Sequence, residues 1–374
     1  MKYPVSKNQK SKRGLQRKSR SCPAKGSWRK YRRRNPDLKE LREKLDKIRD
    51  NINTFRKNLS HYFVDKSEII DLMTICTIAQ EPLLIVGPPG TGKSDLITKF
   101  CQSLGGFDVE KEYFEYMLTK FTEPAELLGP VNLKELKEGK YIRKVEGMLP
   151  TAKIAFLDEI FKANSAILNT MLTILNERKF YQDGKAVPAK LLMLFAATNN
   201  IPDFEELSAI RDRFTVKVES LPTVDKDQLL EKGVGGEIMK KLNVKPWSDR
   251  GVSLDDFINL NEYLFKSVSE KGEAQDVYTS VSSNRKKFFP NDLYALFKEV
   301  LRVLEVEDGI YISDRKFIKI YNLIRARALL FHGGVVRLED LSLLKYIGNR
   351  SEDFDILREK VPDLLGLIRR PVLG

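Results

Sequence analysis

Residues Gly87 to Ser94 read GPPGTGKS, and this stretch decides the fold. It lies between a short apolar run, Pro82 to Val86, and a segment with helical character, Asp95 to Leu104. A glycine-rich loop between a strand and a helix lets backbone N–H groups approach phosphate oxygens, and the positive end of the helix adds to the attraction. The GxxxxGKS spacing in this context predicts a site for a nucleoside triphosphate.

The residues of this loop have different predicted tasks. Lys93 is expected to contact the β and γ phosphates, and the hydroxyl of Ser94 is expected to bind Mg²⁺. The other positions supply backbone contacts or begin the helix. The predicted binding residues of the loop are Gly87, Pro88, Pro89, Gly90, Thr91, Gly92, Lys93, Ser94 and Asp95.

A second motif, IAFLDE, covers residues 154–159 and looks like a buried strand that ends in two acids. Asp158 is expected to lie beside the metal, so it joins Ser94 as a predicted magnesium ligand and also joins the nucleotide-binding set. Glu159 is then free to orient and polarise a water molecule. The adjacent glutamate favours hydrolysis of the nucleotide over transfer to a substrate, and Lys93 and Glu159 are predicted catalytic residues.

Composition places the chain in a broad class. Its 374 residues, of which 42% are hydrophobic, suffice for two or three compact units. No apolar run is long enough to cross a membrane, and no secretory signal pattern is present. Cys22, Cys76 and Cys101 have no metal-ligand spacing. We therefore expect a cytoplasmic protein with reduced thiols and no membrane insertion.

The net charge of +13 is concentrated at one end of the chain. Residues 1–34 contain fourteen of the 65 Lys and Arg residues and no acid, which leaves 51 basic against 52 acidic groups elsewhere. Such a segment is predicted to be disordered. It could contact nucleic acid, an acidic protein or an anionic membrane surface, or act only as a solubilising extension or a targeting peptide.

A helix is predicted to begin at Asn35-Pro36-Asp37, because Asn35 can cap it and proline suits its first turn. Its apolar residues recur every three or four positions. This pattern permits a coiled coil, but we favour a helix that lies on a domain, because it runs almost directly into the predicted core. The apolar positions are Leu38, Leu41, Leu45, Ile48, Ile52, Phe55 and Leu59.

Helix and strand signals alternate as far as Leu221, which predicts an α/β fold with a doubly wound parallel sheet. Two hairpins are expected within it, at Lys134–Val145 and at Phe180–Val187 with a turn at Asp183-Gly184. Helical patterns follow Pro222, with a long polar loop expected at Ser269–Phe289. The predicted division is a tail (1–36), a helix (37–62), an ATPase core (63–222) and an all-α lid domain (223–374).

Several of these stretches together resemble the MoxR family of AAA+ ATPases, most closely its RavA-like branch. The similar stretches are FTEPAELLGPVNLKEL, LDEIFKANSAILNTMLTILNERKF, AATNN, RDRF and SDRKFIKIYNLIRARA. The resemblance implies a P-loop NTPase core with inserted hairpins and a helical lid, ATP and Mg²⁺ as cofactors, ATP hydrolysis, and a hexameric ring.

The resemblance also implies roles for single residues. Asn199 matches the sensor 1 position, which holds the attacking water or contacts the γ-phosphate. Arg213 matches the arginine finger that reaches the ATP of a neighbouring subunit, with Arg211 as the rival choice. Arg315 matches sensor 2, which is expected to close on the phosphates when ATP binds.

The resemblance further implies a protein client, possibly one with a von Willebrand factor A domain, that the ring would remodel or help to mature. Either predicted hairpin could face a central channel and grip a substrate through Lys140, Tyr141, Ile142 and Arg143, or through Phe180 and Tyr181. Ordinary exposed hairpins are the alternative. Two other functions stay open: a nucleic-acid motor or loader that uses residues 1–34, and a scaffold that binds ATP and barely hydrolyses it.

Overall fold

The structure is a computed structural model that describes residues 38–248, 251–269 and 277–366. The basic tail and the predicted helix start at Asn35-Pro36-Asp37 lie outside the described residues. Within those ranges, no helix is both long and apolar enough to cross a membrane.

The regular elements follow one another in a clear order. The strands are β1 (Leu83–Val86), β2 (Tyr113–Met117), β3 (Ile154–Asp158), β4 (Lys179–Gln182), β5 (Lys185–Pro188), β6 (Met193–Thr198) and β7 (Val216–Glu219). The helices are α1 (Leu38–Ser60), α2 (Ser67–Ala79), α3 (Lys93–Gln102), α4 (Val109–Glu112), α5 (Pro124–Leu128), α6 (Leu133–Lys137), α7 (Ser165–Glu177), α8 (Ser208–Arg211), α9 (Lys226–Lys241), α10 (Leu254–Ser269), α11 (Val277–Phe288), α12 (Asn291–Val306), α13 (Asp314–His332) and α14 (Glu352–Leu364). Short 3₁₀ helices cover Ile160–Lys162, Glu205–Leu207 and Leu338–Tyr346.

The central sheet is parallel, with strand order β2–β3–β6–β1–β7. All four residues of β1 are buried, as expected for a parallel strand covered on both faces. Leu83 and Ile85 face a cluster that includes α1, α2, α3 and the C-terminal helices, whereas Leu84 and Val86 face a cluster with α5 and α7. The sheet therefore forms the middle of three layers, which confirms the predicted fold class.

Helix α1 buries the apolar stripe that its sequence predicts. It packs against α2, α10 and α13 of the same chain. This packing confirms the favoured interpretation, a helix lying on a domain, because the stripe is already covered without a partner chain. The buried residues are Leu41, Leu45, Ile48, Ile52, Phe55 and Leu59.

The first of the two predicted hairpins is wrong. Residues 133–137 form α6, whose N-terminus is capped by the Asn132 side chain, and the segment that follows makes only one isolated bridge, between Val131 and Arg143. The asparagine cap satisfies a helical N–H group, which favours a helix over a strand here. The second hairpin is confirmed: β4 and β5 pair antiparallel around Asp183 and Gly184, which both have positive φ.

The polar loop predicted at Ser269–Phe289 is also wrong in its described part, residues 269 and 277–289, because Ser269 ends α10 and most of the rest forms α11. This helix packs on α10, and the Asn284 side chain donates a hydrogen bond to the carbonyl of Val268. Tertiary contacts thus override a weak local signal. Ser253 and Asp256 form a capping box before α10, and the Ser313 side chain caps α13.

Candidate nucleotide-binding and catalytic site

The GPPGTGKS loop lies at the carboxyl end of β1 and leads into α3, which begins at Lys93. A Cβ atom on Gly87 would lie 2.4 Å from the carbonyl oxygen of Ser220, so only glycine fits there. Gly90 and Gly92 have φ of +78° and +76°, which other residues rarely adopt. The loop therefore presents backbone N–H groups at a helix N-terminus, the arrangement that binds phosphates.

The ammonium group of Lys93 is held inside this loop. Its Nζ donates hydrogen bonds to the carbonyl oxygens of Gly87 (2.7 Å) and Pro88 (2.9 Å). Burial lowers the pKa of Lys93, while the nearby charges of Asp158 and Glu159 oppose that change. The loop lysine and the two predicted acids thus belong to one site.

Glu159 is the most constrained residue of the site. Its φ of +53° lies in the left-handed region, which costs a non-glycine residue about 1–3 kcal/mol. Its Oε1 accepts a 2.7 Å hydrogen bond from Nδ2 of Asn199 and lies 3.2 Å from Nζ of Lys162. Asp158 accepts the N–H group of Glu159 at 2.9 Å. The ends of β3 and β6 therefore bring Glu159, the predicted base, into contact with Asn199, the predicted sensor.

The donor set of this site fits Mg²⁺. Within the described residues, no group of three or more His, Cys, Asp or Glu side chains could hold a metal ion alone. Ser94 and Asp158 offer one hydroxyl and one carboxylate, and Mg²⁺ is usually held by one or two carboxylates together with substrate phosphates and water. These residues suit a metal that arrives with a nucleotide.

A cleft of about 740 Å³ extends from the loop, and the sequence motifs did not reveal its other walls. Tyr62, Phe63 and Trp247 form an aromatic end, where the rings of Tyr62 and Trp247 lie 5.7 Å apart, edge to face. Nζ of Lys99 lies 4.9 Å from the centre of the Phe63 ring and 4.8 Å from that of Trp247. Aromatic surface of this kind suits a nucleotide base.

Helix α9 forms the outer wall of the cleft, and none of its residues is buried. The sequence between Lys226 and Lys241 has three glycines and no clear apolar face, so periodicity does not mark it as a helix that covers a site. The cleft is lined by more cations than anions, which favours a polyphosphate ligand. Its charged lining residues are Lys66, Lys99, Lys226, Lys232, Lys240, Lys245, Asp95 and Glu237.

Arg213 lies at the opposite end of the sheet. Strand β7 pairs with β1 so that Val216 is level with Leu83 and Glu219 with Val86. The two ends of this pairing are about 10 Å apart at the usual rise of a strand. Arg213 precedes β7, whereas the GPPGTGKS loop follows β1. No arginine occurs among the described residues that line the cleft.

The two candidate finger arginines have different surroundings. Arg211 is buried, and its Nη1 donates to the carbonyl of Pro202 (2.9 Å) and to Asp203 (2.7 Å). Nη1 of Arg213 lies 3.8 Å from Asp212, and within the described residues its Nε has no hydrogen-bond partner. Arg211 is thus engaged within its own chain, and the Arg213 guanidinium is only weakly paired.

Arg315, the predicted sensor 2 residue, lies near the segment that contains Arg213. Its helix, α13, begins beside Asp212, whose carboxylate is 3.2 Å from the Ser313 hydroxyl. Arg315 is exposed and is absent from the lining of the cleft. The geometry therefore groups Arg315 with the Asp212–Arg213 segment, and its expected closure on the phosphates of ATP stays a prediction.

The two segments proposed to grip a substrate meet at one surface. The backbone of Tyr141 exchanges hydrogen bonds with Asp183 at the tip of the β4–β5 hairpin. The side chains of Tyr141 and Tyr181 are exposed. Phe180 is buried against the core, so its proposed gripping role is wrong.

The parallel sheet, the phosphate-binding loop and the Asp158–Glu159 pair define a P-loop nucleotide-binding protein with a helical C-terminal region. Residues 50–262 match the model of the MoxR domain in the MoxR-vWA-beta-propeller ternary systems, and residues 291–361 match an AAA lid domain. The chain belongs to the MoxR family of AAA+ ATPases.

Individual proteins are also similar to this chain. An uncharacterised protein of Methanocaldococcus jannaschii is 34% identical over 318 residues, which cover 83% of this chain and 71% of that protein. Protein MoxR of Methylorubrum extorquens is 25% identical over 173 residues, 46% of this chain and 49% of that one. A crystal structure of a candidate ATPase from Cytophaga hutchinsonii shares the fold, with a TM-score of 0.64, 18% identity, and coverage of 89% and 98% of the two chains.

Proposed function

We propose that this protein hydrolyses ATP as a ring of identical subunits, with six as the predicted number. The observation that carries the proposal is the separation of Lys93, Glu159 and Asn199 at one end of the sheet from Arg213 at the other. A head-to-tail ring places one end of each subunit against the other end of its neighbour, which would complete the site.

Each residue of the site would have a definite task. Bound ATP with Mg²⁺ supplies the phosphoanhydride bond that is cleaved. Ser94 and Asp158 would hold the metal, and Lys93 would exchange its two carbonyl contacts for phosphate oxygens. Glu159 would orient the attacking water, with its carboxylate fixed by Asn199.

Arg213 and Arg315 would act together on the nucleotide of the neighbouring subunit. Both belong to the segment where Asp212 meets the start of α13. An arginine supplied by a neighbour neutralises charge that develops on the transferred phosphoryl group. Arg213 is preferred over Arg211 because the hydrogen bonds of Arg211 to Pro202 and Asp203 would have to break first.

A mixing experiment tests this arrangement. Arg213→Ala subunits keep an intact Glu159, and Glu159→Gln subunits keep an intact Arg213. When the two inactive proteins are mixed in equal amounts, about a quarter of the interfaces in a head-to-tail ring combine both intact residues. We expect about that fraction of wild-type phosphate release. A mixture no more active than its components would rule out the shared site.

The output of hydrolysis is proposed to be the remodelling or maturation of a protein partner, through a change of angle between the core (63–222) and the lid domain (223–374). The matched family model describes a system that includes vWA proteins, which supports a partner with a von Willebrand factor A domain. The surface around Tyr141 and Tyr181 offers exposed aromatic side chains for contact. Membership of the RavA-like branch stays a prediction.

The partner can be sought by trapping. Glu159→Gln protein held in ATP should retain its client, which mass spectrometry of the co-purified material would identify. A vWA protein supports the proposal. Recovery of nucleic acid without protein, lost on deletion of residues 1–34, would instead show that the basic tail supplies the binding.

A further inference from the structure

The carbonyl oxygen of Arg213 accepts a hydrogen bond from a side chain in the second turn of α13. Nζ of Lys319 lies 3.4 Å from this oxygen. The same Nζ lies 2.6 Å from a carboxylate oxygen of Glu81, and both side chains are largely buried, with 16% and 17% of their surface exposed. A partly buried ion pair restricts its members more than an exposed pair does. Lys319 is therefore fixed at the point where it contacts Arg213.

Glu81 is itself part of the rigid frame of the core. It stands between α2 and β1, directly after Gln80, which ends α2 in a left-handed conformation. Nη2 of Arg178 donates a 3.0 Å hydrogen bond to the carbonyl of Gln80, and Nη1 donates to Leu191. The charge of Glu81 also acts on Arg178. The carboxylate thus pairs with Lys319 and also interacts electrostatically with Arg178.

The segment Arg211–Phe214, called the arginine segment here, is also held by other side chains. Asp212 meets the hydroxyl of Ser313, and the carbonyl of Phe214 accepts a hydrogen bond from Lys217 at 2.7 Å. Of these three side-chain contacts, the one from Lys319 reaches the main chain of Arg213 itself. A shift of about 1 Å at a group that contacts the reacting phosphate can cost a hundredfold in rate.

We propose that Lys319 is a positioning residue for Arg213, and that Glu81 holds Lys319 in place. The pair would set how the arginine is presented to the nucleotide of the next subunit. This inference rests on the proposed function, since it assumes a site shared between subunits. It adds residues that no P-loop motif contains and that never touch the nucleotide.

Lys319→Met tests the proposal, and Lys319→Arg is the conservative variant that should keep activity. We expect Lys319→Met to release phosphate about tenfold more slowly, with nucleotide affinity unchanged. Affinity can be followed by the fluorescence of Trp247, which lines the cleft and is the single tryptophan once Trp28→Phe is introduced. Lys345→Met is the matched control, because Lys345 also pairs with a carboxylate, that of Glu68 in α2. None of the described contacts of Lys345 involves Arg213.

Mixing with Glu159→Gln subunits separates positioning from a merely structural role. Lys319→Met keeps its own Glu159, and its partner supplies a correctly held Arg213, so phosphate release should recover as it does for Arg213→Ala. If only the Arg213→Ala mixture recovers, the inference is overturned and the proposed function stands. If neither mixture recovers, the shared site of the proposed function is contradicted, and the inference about Lys319 loses its basis with it. Should Lys319→Met not fold, Glu81→Gln keeps the side-chain shape and is judged by the same outcomes.

Discussion

The two ends of the sheet are built differently. At the carboxyl end of the strands, the cleft has one wall formed by the GPPGTGKS loop and one loosely packed wall, α9, whose residues are all at least partly exposed. At the amino end, the arginine segment is held by contacts from Ser313, Lys217 and Lys319. A nucleotide must enter and leave the cleft, whereas the segment with Arg213 must hold its guanidinium group in one position. The difference in packing matches these two demands.

At the amino end of the strands, the substitution with the largest expected effect is Arg213→Ala. We expect phosphate release to fall by about 10³–10⁵-fold, the usual contribution of an arginine finger, with nucleotide affinity little changed. Steady-state kinetics and Trp247 fluorescence measure the two quantities. Arg211→Ala should instead lower the free energy of unfolding by about 1–3 kcal/mol, because the Pro202 carbonyl and Asp203 lose their donor. The opposite pattern would exchange the roles of the two arginines.

Glu159→Gln is the corresponding substitution at the carboxyl end of the strands. The amide cannot accept a proton, so we expect hydrolysis to fall by about 10²–10⁴-fold while ATP still binds. Rapid-quench measurement of one turnover reports the chemical step directly. Glu206→Gln, which alters an exposed carboxylate, is the control. Equal rates for wild type and Glu159→Gln would remove Glu159 from the mechanism and favour the scaffold interpretation.

The sequence predicted the carboxyl end better than the amino end, for a physical reason. The spacing of Gly87, Lys93 and Ser94 follows from the size of a phosphate group, so it is visible in the chain itself. Glu81 and Lys319 are 238 positions apart, and only folding brings them together. Sequence periodicity likewise found α1, whose apolar face is buried, but did not mark α9, which buries none of its residues.

The buried lysines of the amino end allow a test by pH. Lys316 is 1% exposed, donates to the Ile347 carbonyl and to Asn349, and has a pKa that burial lowers to about 8 although Asp212 and Asp353 oppose this. Because its pKa is lower in the folded state than in the unfolded state, the unfolded chain binds more protons between about pH 8 and 10.5. The free energy of unfolding should therefore rise with pH across this interval.

The size of this effect is about 1.4 kcal/mol per pH unit at most, or about 3 kcal/mol in total. Denaturant unfolding of wild type and Lys316→Met at several pH values measures it, and the difference between the two slopes isolates Lys316 from other titrating groups. Parallel curves for the two proteins would show that Lys316 keeps an ordinary pKa in the folded state.

The smallest expected effect comes from stiffening the loose wall of the carboxyl end. Gly235 lies within α9 and is not among the residues that line the cleft, and a Cβ atom at this position would meet open space, so Gly235→Ala adds a methyl group without blocking the ligand. Alanine stabilises a helix interior by about 0.5–1 kcal/mol relative to glycine. Hydrogen exchange of α9 amides should slow by about two- to fivefold, and nucleotide release should slow with it if opening of α9 is the route out. Gly251→Ala, outside α9, should change neither rate. Slower exchange with unchanged release would show that the nucleotide leaves by a path that α9 does not cover.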